Sequence, residues 1–291
     1  MNSVLGKRPA RVAAIHDLST FGRCSLSVIL PVMSAMGVQV CPIPTAVLSS
    51  HTGGLGNPEI RDLTDFMEPC LEHYGRIPVE LEGVYTGFLA SVEQVEHCLS
   101  FFGKYKNALH IVDPVMGDHG KSYKSCGKEL QKGMMELVRA ADVITPNVTE
   151  AAMLLDIPFT DRAMSGSEAK SVLVRLAALG PKRVIVTGVR MLDGTVCNVL
   201  YDSLDSSFWR VSCDYVPAAY PGTGDMFAAV LVGAILCGGS FPMALDKATK
   251  FCELSVKTTY SFGSDPMHGV MFELCLSYLT ANTITGGYET L

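Results

Sequence analysis

Residues 221–229 read Pro-Gly-Thr-Gly-Asp-Met-Phe-Ala-Ala, a glycine turn that runs straight into an apolar helix. The first backbone N–H groups of a helix have no intrahelical acceptor, and glycines let an anion approach them with no Cβ in the way. The positive end of the helix dipole adds to this, so the turn suits phosphoryl oxygens. Asp225 stands in the same turn. Alone, it is a first-turn carboxylate that stabilises a helix end. Beside an anion hole, it is the group an alcohol needs if it is to lose a proton while attacking phosphorus. In that chemistry Asp225 is the general base, and the N–H groups of Gly222, Thr223, Gly224 and Asp225 stabilise the moving charge. Positioning matters more than basicity in a loose phosphoryl-transfer transition state.

Other polar residues follow apolar runs in the same way. Asp113 and Asp118 flank a proline-containing loop after the run ending at Val112. Open α/β sheets place their ligands at such carboxyl ends, and two carboxylates there can hold a hydrated Mg²⁺. A turn in which Asp113 accepts backbone hydrogen bonds explains the same pattern. Asn147 and Glu150, three apart after Thr145-Pro146, share one face at a helix start, and a capping box accounts for them with no function at all. Thr187-Gly188 ends a further run. Asp17-Leu18-Ser19-Thr20-Phe21-Gly22 follows the first run, where Asp17 and Ser19 can orient a ring heteroatom or hydroxyl. The stretch from Gly117 to Ser125 is polar, as a lid would be. Its Lys121 and Lys124 either attract polyphosphate or are solvated surface lysines.

Gly222-Thr223-Gly224-Asp225 with Met226-Phe227-Ala228-Ala229 resembles the C-terminal motif of the ribokinase-like superfamily, ATP-dependent kinases that phosphorylate a hydroxymethyl group. Asp113-Pro114-Val115-Met116-Gly117-Asp118 and Thr145-Pro146-Asn147-Val148-Thr149-Glu150 resemble two further motifs of its vitamin-kinase branch. His51-Thr52-Gly53 and Thr86-Gly87-Phe88 resemble substrate-side motifs of pyridoxal kinases, and the likeness runs from about Ile15 to at least Phe262. The resemblance implies ATP as phosphoryl donor, with Mg²⁺ between its phosphates. Asp113, Asp118, Asn147 and Glu150 would serve that cation, mostly through water, and Thr145, Thr187 and Gly188 would lie toward the phosphates. The adenine is expected near the loop before Tyr220 and the helices beyond Lys247. Asp17, Ser19, Thr52 and Phe88 would hold the acceptor, with Tyr123 in a flap. Assistance by K⁺ and a homodimer are also implied.

Two substitutions depart from the pyridoxal-kinase pattern. Asp17 replaces the usual Ser-His pair and is nearer to the hydroxymethylpyrimidine kinases, while Phe88 replaces a tyrosine, keeping an aromatic wall without its phenol. Against the pyrimidine, those kinases commonly carry Cys where this chain has Asp225. The expected activity is transfer of the γ-phosphate of ATP to the 5′-hydroxymethyl of pyridoxal, pyridoxamine or pyridoxine. The alternatives are a kinase of hydroxymethylpyrimidine or another small alcohol, and a non-catalytic B6- or nucleotide-binding protein. Sugar kinases of the superfamily add an early β-rich lid, and no such insertion is visible.

The elements that must position these residues alternate. Brief apolar runs predict strands over Arg11–His16, Val38–Val47, Glu82–Thr86, Ala108–Val112, Asp142–Thr145 and Arg183–Thr187. Helical spacing predicts helices over Arg23–Met36, Pro58–His73, Val92–Phe102, Gly127–Ala140, Val148–Leu155 and Glu168–Leu179. Such alternation gives βαβ units, and continuous rather than alternating apolarity suits strands covered on both faces. Gly194–Tyr201 and Phe208–Tyr215 read as an antiparallel hairpin, and Asp225–Cys237, Pro242–Tyr260 and His268–Leu279 as helices. The fold class is therefore α/β: a doubly wound, mostly parallel sheet flanked by helices, with an antiparallel edge hairpin, as one domain over residues 1–291.

Composition excludes several other classes. With 48% apolar and 18% charged residues there is material for a large core. A net charge of −6 without a basic run argues against nucleic acid. No apolar stretch approaches the roughly 20 residues that cross a bilayer, and the basic start has no apolar core behind it, so neither membrane insertion nor secretion is expected. Ten scattered cysteines, with no C-x-x-C, fit thiols in a reducing cytoplasm.

Overall fold

Val12 and Ala14 of the first strand, β1 (Arg11–Ser19), pack into one apolar cluster, and Ala13 and Ile15 pack into another. Successive strand side chains point to opposite faces, so an uninterrupted apolar run is what a strand covered on both sides requires. The computed structural model describes residues 8–214, 216–280 and 286–291. In chain order β1 is followed by α1 (Leu26–Ala35), β2 (Gln39–Leu48), β3 (Ile60–Asp62), α2 (Thr64–Tyr74), β4 (Gly83–Thr86), α3 (Val92–Lys104) and β5 (Leu109–Val112). Next come a two-strand ribbon, β6 (Gly117–Asp118) and β7 (Lys121–Ser122), then α4 (Lys128–Ala140), β8 (Val143–Ile144), α5 (Val148–Leu154), α6 (Gly166–Ala177) and β9 (Arg183–Arg190). The chain then forms β10 (Val196–Asp202), β11 (Ser207–Cys213), α7 (Thr223–Leu236), α8 (Phe241–Ser261), α9 (Ser277–Thr280) and β12 (Tyr288–Thr290).

The ten-stranded sheet has the order β12-β11-β10-β9-β8-β5-β4-β1-β2-β3. Its centre, from β9 to β2, is parallel, while β3 at one edge and β10, β11 and β12 at the other run antiparallel. Helices α2 to α6 cover one face through Met67, Phe101, Leu137, Leu154 and Leu173, and α1, α7 and α8 cover the other through Ile29, Leu231 and Phe251. This is the expected doubly wound, ribokinase-like arrangement. All parallel strands end on one side, and that edge carries the polar residues singled out above. Among the described residues no helix is long and apolar enough to cross a membrane.

Several elements differ from expectation, the first strand among them, which runs past His16 to Ser19. The predicted Pro58–His73 helix begins only at Thr64, because Ile60–Asp62 pairs with β2 as an exposed edge strand too short to carry a pattern. α1 starts at Leu26 rather than Arg23, since Gly22, Arg23 and Ser25 all take positive φ (112°, 50° and 58°). The strand predicted to stop at Thr187 continues to Arg190, supported by β10. The Gly117–Ser125 loop contains a hairpin turned at His119 and Gly120, both at positive φ (49° and 74°), as tight hairpins demand. The predicted His268–Leu279 helix breaks into two 3₁₀ turns (Pro266–His268 and Phe272–Cys275) and α9, because Gly269 sits at φ 76° against the backbone of Gly22. Tyr215, the expected end of the second hairpin strand, lies outside the described residues.

Candidate functional site

The carboxyl ends of β1, β4, β5, β8 and β9 and the start of α7 enclose a cavity of about 510 Å³. Its wall contains every residue chosen from the sequence: Asp17, Ser19, Thr52, Phe88, Asp113, Asp118, Tyr123, Thr145, Asn147, Glu150, Thr187, Gly188, Gly222, Thr223, Gly224 and Asp225. Lys121 and Lys124 are exposed and do not line it. Tyr220 does, but no described residue beyond Phe227 does, so the helices past Lys247 stay outside this wall.

α7 opens from Gly222, which takes φ 82°. The first backbone bond of the helix runs from the Met226 N–H to the Gly222 carbonyl (3.0 Å), so the N–H groups of the preceding turn have no intrahelical acceptor. A Cβ at Gly222 would lie 2.1 Å from the Arg23 carbonyl oxygen, so both the conformation and the close approach demand glycine. Asp225 is gripped on both oxygens: Oδ2 accepts the Ser25 N–H at 2.6 Å, and Oδ1 lies 3.1 Å from His16 Nε2. The latter is an ion-pair contact rather than an aligned hydrogen bond.

His16 was not among the residues chosen from the sequence. A potentially charged residue closing the apolar run Val12–Ile15 was the available signal. Its Nδ1 lies 2.8 Å from Asp17 Oδ1, a contact in which the protonated ring donates, and 3.0 Å from the Asp17 backbone nitrogen, while Ser19 Oγ donates to Asp17 Oδ2 at 3.1 Å. The pairing of β1 with β2 slips between His16 and Leu18, so Asp17 and Ser19 still belong to the strand rather than to a turn after it. Burial opposes charge on His16, but Asp225 and Asp17 outweigh it and hold the imidazole up to about 10. Burial likewise opposes the Asp17 carboxylate, and the hydrogen bond and charge of His16 overcome it, leaving Asp17 below the usual carboxylate range.

Asp113 lies in the opposite balance. Burial first, then the nearby Asp225, push it up to about 7 against the pull of His16. Burial and Asp113 push Glu150 well above the usual range. Glu150 accepts the Met116 and Asn147 N–H groups (3.1 and 2.9 Å), and Asn147 Oδ1 accepts the Glu150 N–H (2.9 Å), so the capping box is realised in full. Asn147 also donates to the Gly117 carbonyl, tying α5 to the β6–β7 ribbon. Asp118 is half exposed and accepts the His119 N–H. Gly188, at φ 71° within β9, donates to Asn198 Oδ1 at 3.0 Å.

This donor set fits a hard cation carried by a polyphosphate. Asp113, Asp118 and Glu150 offer oxygen to one cavity, and two of them are buried without a counter-charge of their own. Among the described residues no three His, Cys, Asp or Glu side chains come together to hold a metal unaided. Magnesium, which keeps most of its water, suits such a wall.

His51 serves the loop that carries Thr52. Its Nε2 donates to the Met267 carbonyl (2.7 Å) and its Nδ1 accepts the Gly53 N–H (3.0 Å). A Cβ at Gly22 would lie 2.1 Å from its Cδ2. Arg162 and Arg190 also line the cavity, and periodicity gave no signal for either.

Residues 30–270 match the phosphomethylpyrimidine kinase family. The chain belongs to that family. Within it, relatives of two names are similar to this kinase. A candidate phosphomethylpyrimidine kinase from Bacteroides thetaiotaomicron, crystallised with pyridoxal, is 38% identical with a TM-score of 0.92, over 97% of this chain and 100% of its own. The Lactobacillus plantarum pyridoxal kinase is 29% identical with a TM-score of 0.85, over 94% and 97% of the two chains. The hydroxymethylpyrimidine/phosphomethylpyrimidine kinase of Mycobacterium tuberculosis is 26% identical over 89% of this chain and 92% of its own. The fold expected from the alternating elements and the three motifs is thus shared with these solved structures.

Proposed function

We propose that this family member transfers the γ-phosphate of ATP to the 5′-hydroxymethyl of a B6 vitamer: pyridoxal, pyridoxamine or pyridoxine. The observation that carries the reading is the Asp225 carboxylate beside the unpaired N–H groups of α7, in one cavity with the Asp17 carboxylate and the Phe88 ring. The acceptor ring lies against Phe88, with Asp17 and Ser19 at its polar edge and Thr52 closing the side. Asp225 takes the hydroxyl proton as the oxygen attacks phosphorus, the bond to the leaving ADP breaks, and the amides of residues 222–225 meet the shifting charge. Asp113, Asp118, Asn147 and Glu150 would hold the hydrated Mg²⁺, which when bound neutralises phosphate charge. Thr145, Thr187 and Gly188 face the phosphates and Tyr123 covers them.

The bound pyridoxal in the Bacteroides relative supports this acceptor, and the carboxylate at position 225 agrees with it. The Mycobacterium relative and Asp17, an acceptor suited to an amino group, favour hydroxymethylpyrimidine as the second reading. Purified protein with MgATP, three B6 vitamers, hydroxymethylpyrimidine and ribose decides between them. Phosphorylated vitamer is the expected product, and turnover of the pyrimidine alone overturns the first reading.

A further inference from the structure

His16 is 2% exposed and sits between two carboxylates, each anchored a second time. Ser19 holds the far oxygen of Asp17, and the Ser25 N–H holds the far oxygen of Asp225. The imidazole thus closes a continuous chain from Ser19 through Asp17, His16 and Asp225 to the start of α1. Space for it is reserved by Gly87, where a Cβ would lie 2.1 Å from His16 Cδ2 and 2.2 Å from Nε2. An aliphatic side chain would fill this position at the end of an apolar strand without the cost of burying polar atoms. A buried imidazole is retained where its two nitrogens have work to do. The remaining titratable groups around it are Tyr85, whose ring centroid is 6.3 Å away, and Asp113, which adds negative field.

We infer that His16 is a positioning residue that locks the acceptor-orienting carboxylate of Asp17 to the proton-accepting carboxylate of Asp225. Both are thereby set as one rigid unit. The inference rests on the reading of Asp225 as base and Asp17 as acceptor contact. The His16 ring reaches the cavity wall, but its role in this inference runs through the two carboxylates: its positive charge is a fixed spacer, not a proton carrier. Holding two reacting groups within a fraction of an ångström of their productive geometry is the purpose such a spacer serves.

The two ring nitrogens can be separated by substitution. An asparagine amide reaches roughly where Nδ1 lies, and a glutamine amide roughly where Nε2 lies. His16→Gln therefore keeps the Asp225 contact and is expected to raise the acceptor KM about 5- to 20-fold with kcat within about threefold of wild type. His16→Asn keeps the Asp17 contact and is expected to lower kcat about 30-fold or more, with the acceptor KM within about threefold. KM for ATP should stay within about twofold in both. Parallel losses in kcat and acceptor KM in both variants, or no loss in either, overturn the inference.

Thermal unfolding identifies the variants that fold. Should neither fold, the wild-type imidazole is read directly by ¹⁵N-histidine NMR at pH 8. Two protonated nitrogens, both shifting when pyridoxal binds without nucleotide, are expected. A singly protonated ring insensitive to the acceptor overturns the inference. Asp225→Asn is measured alongside: retained kcat there overturns the base assignment and this inference with it, whereas lost kcat there with parallel His16 variants overturns only the inference. If the pyrimidine proves to be the acceptor, the same kcat and KM split is read on it.

Discussion

Asp225→Asn is the sharpest perturbation available. Asparagine matches aspartate in shape, and its carbonyl can still accept the Ser25 N–H now bound at 2.6 Å. Two things are lost: the ability to take a proton, and the negative charge 3.1 Å from His16 Nε2. A positioned general base contributes about 10²–10⁴ in rate, or about 3–5 kcal/mol at 1.36 kcal/mol per decade. The new amide would point its donors at an imidazole nitrogen that also donates, so the upper half of that range is expected. Weakening one charge-assisted bond costs about 1–2 kcal/mol of stability, or about 2–8 °C in melting temperature for a chain of this size. Nucleotide affinity should hold or tighten, since a negative charge near the triphosphate disappears. The assay is initial-rate ADP release over a matrix of ATP and acceptor concentrations, with nucleotide Kd by calorimetry and a melting curve for each protein. A folded variant whose kcat lies within about tenfold of wild type refutes the general-base argument. A raised ATP KM at unchanged kcat assigns Asp225 to ground-state binding instead.

Gly87→Ala drives a methyl group into His16 and should cost about 1–3 kcal/mol in overpacking, with a fall in kcat. Gly103→Ala, at a helix position with nothing within 4 Å, serves as the control and should melt no lower than wild type. Melting curves and initial rates on the two variants test this, and a wild-type profile for Gly87→Ala refutes it. Asp113 gives a pH signature in the absence of nucleotide. Because its folded-state value is raised from 3.8 to about 7, the native state binds the extra proton; this group's contribution to stability falls as pH rises from about 4 to about 7 and is flat beyond. Asp113→Asn should therefore gain on wild type across that window, and denaturant melts at pH 4.5, 6 and 8 with a constant difference between the two proteins refute it.

What was legible in the sequence follows from range. The glycine turn, the capping pair Asn147 and Glu150, and the apolar strands announce themselves over a few neighbouring residues, and all chosen residues meet at one sheet edge because parallel strands must end together. His16 escaped because its meaning lies in Asp225, which only tertiary packing brings to it, and in the room left by Gly87. β3 and β12 escaped for another reason: three residues at a sheet edge are held by a neighbour's backbone and need no pattern of their own. The broken stretch after Pro266 has helical spacing, but the close approach of Gly269 to Gly22 overrides it.

The His51 imidazole joins parts of the chain 216 residues apart. A nascent polypeptide leaving the ribosome therefore cannot finish the wall that carries Thr52 until Met267 has emerged. Anyone transplanting the 51–54 turn into another scaffold must bring along the 265–269 segment and a glycine at position 22, since the turn borrows its shape from both.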